Sequence, residues 1–137
     1  MNGLSQSVIF PKGNKADSRI FTGDVWVKML VTEKEYNCSV YNLTFEPGAR
    51  TYWHSHPGGQ ILLVTGGKGY SQEEGKTAQP LKKGDVVKIP PNTKHWHGAM
   101  PTSWFVHLGI TTNPQAGNAE WFEEVSNEEY DKIQVQK

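Results

Sequence analysis

Residues 52–60 read YWHSHPGGQ, and residues 94–98 read KHWHG. The chain has five histidines, and these two short stretches hold four of them in His-x-His pairs. Chance at this histidine frequency supplies roughly 0.2 such pairs in a chain of this length, so the pattern marks a site. Successive side chains of a strand point to opposite faces, so His54 shares a face with His56, and His95 with His97. Gln60 has the same parity as His54 and His56, beyond the tight Pro57-Gly58-Gly59 turn, and its amide carbonyl is an acceptor that needs no deprotonation.

Working outward from these stretches, short runs rich in Val, Ile, Leu, Tyr and Trp alternate with Gly, Pro and Asn punctuation, and helical periodicity is scarce. The reading is all-β, with strands expected at 23–31, 38–45, 51–54, 60–65, 68–73, 78–80, 86–89, 95–99 and 104–111. The turns between them are EPGAR, HPGG, TGGKG, EEGK, KKGD and PPNTKH, each with a Gly, Pro or Asn where the chain must reverse. Regular short strands of this kind build a sandwich or barrel. Near the C-terminus Ser126-Asn127-Glu128-Glu129 fits a capping box and predicts a short helix, with Trp121 and Phe122 as its anchors.

The chain of 137 residues reads as one domain: a barrel core at 23–112, an N-terminal arm at 1–22 and a helical tail at 118–137. The arm, with its apolar patch Val8-Ile9-Phe10, is expected to run over the outside or onto a neighbouring subunit. Fourteen basic residues balance fourteen acidic ones, with no cationic run interleaved with aromatics, which argues against nucleic acid and for a small-molecule or protein partner. The apolar run 61–64 is too short to span a bilayer and no signal-like leader opens the chain, so no membrane partner and a cytoplasmic location are expected. The lone cysteine, Cys38, reads as strand packing.

Imidazole nitrogens suit Mn, Fe, Ni or Zn, and three histidines with one oxygen donor leave coordination positions open. The expected metal set is His54, His56, Gln60 and His95. Gln is neutral, so a divalent ion there would keep its charge and act as a strong Lewis acid. His97, facing the same way as His95, is the candidate proton carrier, with His107 as a second candidate catalytic residue. Tyr41, Leu43 and Leu62 are the candidate substrate-pocket residues, whereas Trp53 and Trp96, each offset by one from a histidine, should face outward.

These residues carry a family resemblance. Gly48-x5-His54-x-His56-x3-Gln60-x5-Gly66 resembles the first motif of the cupins, with Gln60 in place of the usual Glu. Gly84-x5-Pro90-x-Asn92-x2-His95 resembles the second, with Asn92 for a Gly and Ala99 where many members have Asn. The resemblance implies a jelly-roll barrel of two antiparallel sheets with the metal inside. The runs FEPGARTYWHSHPGGQILLVTGGKGYSQEEGK and GDVVKIPPNTKHWHGA, followed by Phe105-Val106-His107-Leu108, look like the small bacterial cupins that include manganese-dependent hydroxynitrile lyases. That likeness implies manganese as the first choice of ion, ligation by three His and one Gln, and His97 and His107 beside the substrate. The likeness also implies that Thr111 lines the substrate pocket, standing where those lyases carry a Gln, and Tyr41 stands where a small residue is expected. The function it implies is a carbon–carbon lyase on a small carbonyl or hydroxyl substrate. A metal-dependent dioxygenase and a non-catalytic ligand-binding cupin are the alternatives, and a homodimer through 8–10 and 23–31 is expected.

Overall fold

Every strand pairing in the computed structural model, which describes residues 9–135, is antiparallel. The strands are β1 (Asn14–Lys15), β2 (Phe21–Thr22), β3 (Val25–Val31), β4 (Cys38–Phe45), β5 (Arg50–Thr51), β6 (His54–Ser55), β7 (Gln60–Glu73), β8 (Gln79–Lys82), β9 (Val86–Ile89), β10 (His95–Ala99), β11 (Phe105–Thr112) and β12 (Glu120–Trp121). One helix, α1 (Asn127–Val135), follows. The order β1-β3-β4-β11-β7-β10-β5-β2 runs round a curled sheet, with β8 and β9 added on β7, β6 on β10, and β12 on β6. No described helix is long and apolar enough to cross a membrane.

The turn expected at TGGKG is instead the middle of β7, a strand of 14 residues. Its first half pairs with β11 and β9, its second with β10 and β8, so it joins the two halves of the barrel. Gly67 has φ +70°, and a Cβ there would lie 1.8 Å from the Trp104 carbonyl oxygen. Glycine therefore permits the strand to bend against its neighbour and continue, where a larger residue would force a break.

Alternation along β4 shows how the interior is filled. Tyr41, Leu43 and Phe45 face inward, and Asn42 faces out, where its side-chain amide donates to the Pro11 carbonyl of the arm at 3.3 Å. Phe45, Phe105, Val25, Leu43 and Val64 close one end of the barrel as an apolar plug. Fully burying each of these contributes roughly 1.5–3 kcal/mol.

A second cluster lies outside the barrel. Trp53 and Trp96 point away from the interior, and Tyr70, Val125 and Tyr130 bury them under the C-terminal segment. Trp121 and Phe122 are not the helix anchors expected from sequence: both are more than a third exposed, and Val125 and Tyr130 do that packing. The capping box is present, with the Glu129 N–H donating to Ser126 Oγ and the Ser126 N–H to Glu129 Oε1, each at 3.1 Å.

The arm also departs from expectation. Its β1 edges β3 and its β2 pairs with β5, so residues 16–21 cross the mouth of the barrel rather than staying outside it. Ile9 is exposed and Phe10 half-buried; Val8 lies outside the described residues.

Candidate metal centre

Backbone pairing brings the histidines together. His54 on β6 lies opposite His95 on β10, and their ring centroids are 4.2 Å apart. His56 follows at the turn, where its carbonyl accepts the N–H groups of Gly59 (3.1 Å) and Asn92 (2.9 Å), and its ring is 5.1 Å from that of His54. Gln60 opens β7 directly across from Thr111 on β11. His97, two residues along β10, stacks on His95 at 5.6 Å. His54, His95 and His97 form the group of three among the described residues whose candidate ligand nitrogens all lie within 4.8 Å of one another. His56 and Gln60 are buried beside them.

The hydrogen bonds decide which nitrogens are free. His54 Nδ1 donates to the Tyr52 carbonyl at 2.8 Å and His95 Nδ1 to the Thr93 carbonyl at 2.9 Å, which turns both Nε2 lone pairs inward. Burial is the main force lowering the pKa of each ring: His54 is held well below its ordinary value, His95 below it, and His56 is pushed down to about 4. A neutral His95 thus presents a lone pair 2.9 Å from Gln60 Oε1, itself an acceptor. The buried Nε2 atoms of His56 and His97 have no hydrogen-bond partner among the described residues.

Nitrogen and oxygen acceptors gathered without donors repel one another unless a cation lies among them. The donor set fits a divalent transition ion, since imidazole and an amide oxygen are accepted by manganese, iron, nickel and zinc alike.

This cluster forms one side of a cavity of about 410 Å³. Tyr41, Leu43 and Thr111 line it together with His54, His56, Gln60 and His97. His95 and His107 are fully buried and do not line it; His107 lies behind His97, its Nε2 3.2 Å from His97 Nδ1. Leu62 is fully buried and off the cavity wall, opposite Gly109 in the β7–β11 pair. The remaining wall is largely apolar and includes Ile20 and Phe21 of the arm, Val27 and Met29 of β3, and Trp121.

Sequence reasoning missed Ile20, Phe21, Val27 and Met29 in the wall, and above all Trp121. The β12–β6 pairing sets it opposite His54, and the indole stacks on that imidazole at 4.5 Å and 28°. Nothing local signals this, because the two-residue strand that places it forms only against β6, some 65 residues earlier in the chain.

Comparison with known proteins agrees with this fold. The family model described as a cupin domain matches residues 41–107. An (R)-mandelonitrile lyase from Granulicella tundricola is 48% identical over 89 residues, covering 65% of this chain and 68% of the relative. The crystal structure of a cupin-like protein from Thermotoga maritima is 60% identical with a TM-score of 0.90, covering 92% of this chain and 96% of that one. A cupin 2 conserved barrel domain protein from Rhodopseudomonas palustris shares the fold at 18% identity, with a TM-score of 0.69 over 89% of this chain and 82% of that one.

Proposed function

This chain belongs to the cupin superfamily, and on that premise we propose that it is a metal-dependent lyase acting on a small, uncharged hydroxyl or carbonyl compound. The observation that carries the reading is the gathering of buried acceptor atoms, without donors, at one side of a largely apolar cavity. His54, His56, Gln60 and His95 hold one divalent ion, manganese first, in a single domain spanning the chain. When bound, such an ion supplies Lewis-acid stabilisation of a developing alkoxide or carbonyl oxygen.

The chain's own residues do the rest. Burial and the neighbouring imidazoles hold His97 well below its ordinary pKa, so at neutral pH it is an uncharged base with a free Nε2 at the cavity. It takes the proton of a cyanohydrin hydroxyl. The oxygen then forms the carbonyl as the bond to the nitrile carbon breaks, and the departing cyanide recovers the proton from the imidazolium as hydrogen cyanide. His107 orients His97 through the ring-to-ring hydrogen bond. Leu43, Val27, Phe21 and Trp121 surround the substituent of the substrate. No Lys or Arg is among the described lining residues, and Asp17 is already held by Arg19 at 2.6 Å, which favours a neutral substrate over a carboxylate.

The test is release of benzaldehyde from racemic mandelonitrile by manganese-loaded protein, with chiral analysis of what remains. One enantiomer should be consumed. Oxygen uptake by iron-loaded protein without cyanohydrin cleavage would replace the lyase with a dioxygenase, and a ligand-induced thermal shift without turnover would leave a binding protein. Metal content assigns the ligands: His56→Ala should lose the ion and His97→Ala keep it, whereas the reverse would move the site onto the His54, His95 and His97 group. The reading also carries a homodimer through β3 and the arm, which sedimentation measures.

A further inference from the structure

Three side chains from three strands form a chain of hydrogen bonds behind the histidines. Gln60 Nε2 donates to Tyr41 Oη at 2.6 Å, and Tyr41 Oη lies 2.9 Å from Thr111 Oγ1. The Tyr41 ring is set by Gly109, its partner across the β4–β11 pair: a Cβ there would lie 2.1 Å from Tyr41 Cε2. Glycine at 109 therefore allows the ring to lie flat across β11 and deliver its hydroxyl to the end of the Gln60 side chain.

We propose that Tyr41, with its hydroxyl proton directed onto Thr111, is a positioning residue that keeps the Gln60 amide oxygen turned toward the histidines and so sets the metal affinity of the site. The inference rests on the reading of Gln60 as a metal-binding group. A glutamine amide is nearly symmetric in shape, and a half-turn exchanges its oxygen and its NH2. Turned the other way, the NH2 would donate to the His95 Nε2 lone pair and exclude a cation from it.

The phenol has one proton. Directed at Thr111 Oγ1, it leaves the Tyr41 oxygen lone pairs for the Gln60 NH2, which holds the amide in the orientation seen, with Oε1 2.9 Å from His95 Nε2. A phenol keeps its proton at neutral pH, so the donor is always available. Without an acceptor at 111, the same proton turns to Gln60 and favours the reversed amide. Thr111 therefore acts on the metal through two hydrogen bonds while touching none of the histidines' nitrogens.

The test is Mn(II) titration followed by the electron paramagnetic resonance signal of the free ion, with the visible spectrum of the Co(II)-loaded protein as a signature of the ligand field. Tyr41→Phe and Thr111→Val should each weaken Mn(II) binding about 10-fold or more and alter the Co(II) spectrum, while the melting temperature of the metal-free protein stays close to wild type. In a Gln60→Ala background, Tyr41→Phe should cost nothing further. Wild-type affinity and spectrum in Tyr41→Phe, alongside loss in Gln60→Ala, would overturn the positioning role and leave Gln60 as a ligand. An equal loss from Tyr41→Phe with or without Gln60 would show that it acts through packing, which also overturns the role. Unchanged affinity in Gln60→Ala would remove Gln60 from the metal site, and the inference with it.

Discussion

The Nε2 of His107 lies 3.2 Å from the Nδ1 of His97, with the two ring planes crossed at 75°. Phe45 and Phe105 pack on His107 at 5.5 and 5.4 Å, so the pair rests in the apolar plug that closes the barrel. With His97 Nδ1 donating to His107 Nε2, the neutral His97 ring keeps its lone pair on Nε2 for chemistry in the cavity. If His97 is the base, His97→Ala should lower kcat for cyanohydrin cleavage by about 10²–10⁴, the range for general acid–base groups. His107→Leu should cost about 10-fold, as expected for a residue that orients another. The double variant should be no slower than His97→Ala alone, because His107 has nothing left to orient. Multiplying effects at constant metal content would show that the two histidines act independently.

Trp121 makes a different kind of contribution. Its indole stacks on His54 at 4.5 Å and lines the cavity mouth while remaining 38% exposed. A flat aromatic wall grips an aryl substituent without touching the reacting bond, so it contributes binding shared by ground and transition states. Trp121→Ala should raise KM for an aromatic cyanohydrin about 5- to 20-fold and leave kcat within about 3-fold, while an aliphatic cyanohydrin shows a smaller change. A fall in kcat with KM unchanged would place Trp121 behind the orientation of His54 instead.

Strand parity explains how much of this site was legible in the sequence. His54, His95 and His97 converge because residues two apart share a face, and the same rule turns Trp53 and Trp96 out under the helix. The capping box at Ser126 was legible because its bonds span only three residues. Features that depend on contacts distant in sequence were not. Gly66-Gly67 has the composition of a turn, yet the Trp104 backbone packed against Gly67 makes it a bend within β7. Trp121 has the composition of a helix anchor, yet β6 takes it to His54. Residues 16–21 look like a surface arm until β5 draws β2 across the mouth.

Buried neutral histidines tie stability to pH. Burial pushes His107 and His56 down to about 4 in the folded chain, from an ordinary value of 6.5. Between those values the unfolded chain binds protons that the folded chain refuses, so stability is complete above about pH 6.5 and is lost as pH falls toward about 4. Each such histidine accounts for up to about 3 kcal/mol of that loss. Urea denaturation of metal-free protein should therefore show the unfolding free energy falling steeply from about pH 7 to about pH 4.5. His107→Leu should show a shallower slope, having one proton fewer to take up on unfolding. A slope equal to wild type would mean that His107 is already protonated in the fold.

Arg50 joins the barrel to the C-terminal segment. It is 4% exposed, and its guanidinium donates to the Val125 carbonyl at 2.9 Å, to Asn127 Oδ1 at 2.8 Å and to the Gly48 carbonyl at 3.0 Å, with the Tyr130 ring 4.2 Å away. No other described cation reaches Val125 or Asn127, so these bonds anchor α1 over Trp53 and Trp96. Arg50→Met keeps the aliphatic stem and removes every one of them, leaving a buried carbonyl unpaired, and should cost about 3 kcal/mol in unfolding free energy. The damage should be directional. Hydrogen exchange should accelerate across residues 122–133 before it does in β7 or β11, because the tail loses its anchor while the barrel keeps its own ladders. Since β12 leads into that tail, the loosened segment should also weaken the Trp121 stack on His54 and raise KM for an aromatic substrate. Uniform acceleration over the whole chain would instead make Arg50 part of the barrel's own core, with the helix as a passenger.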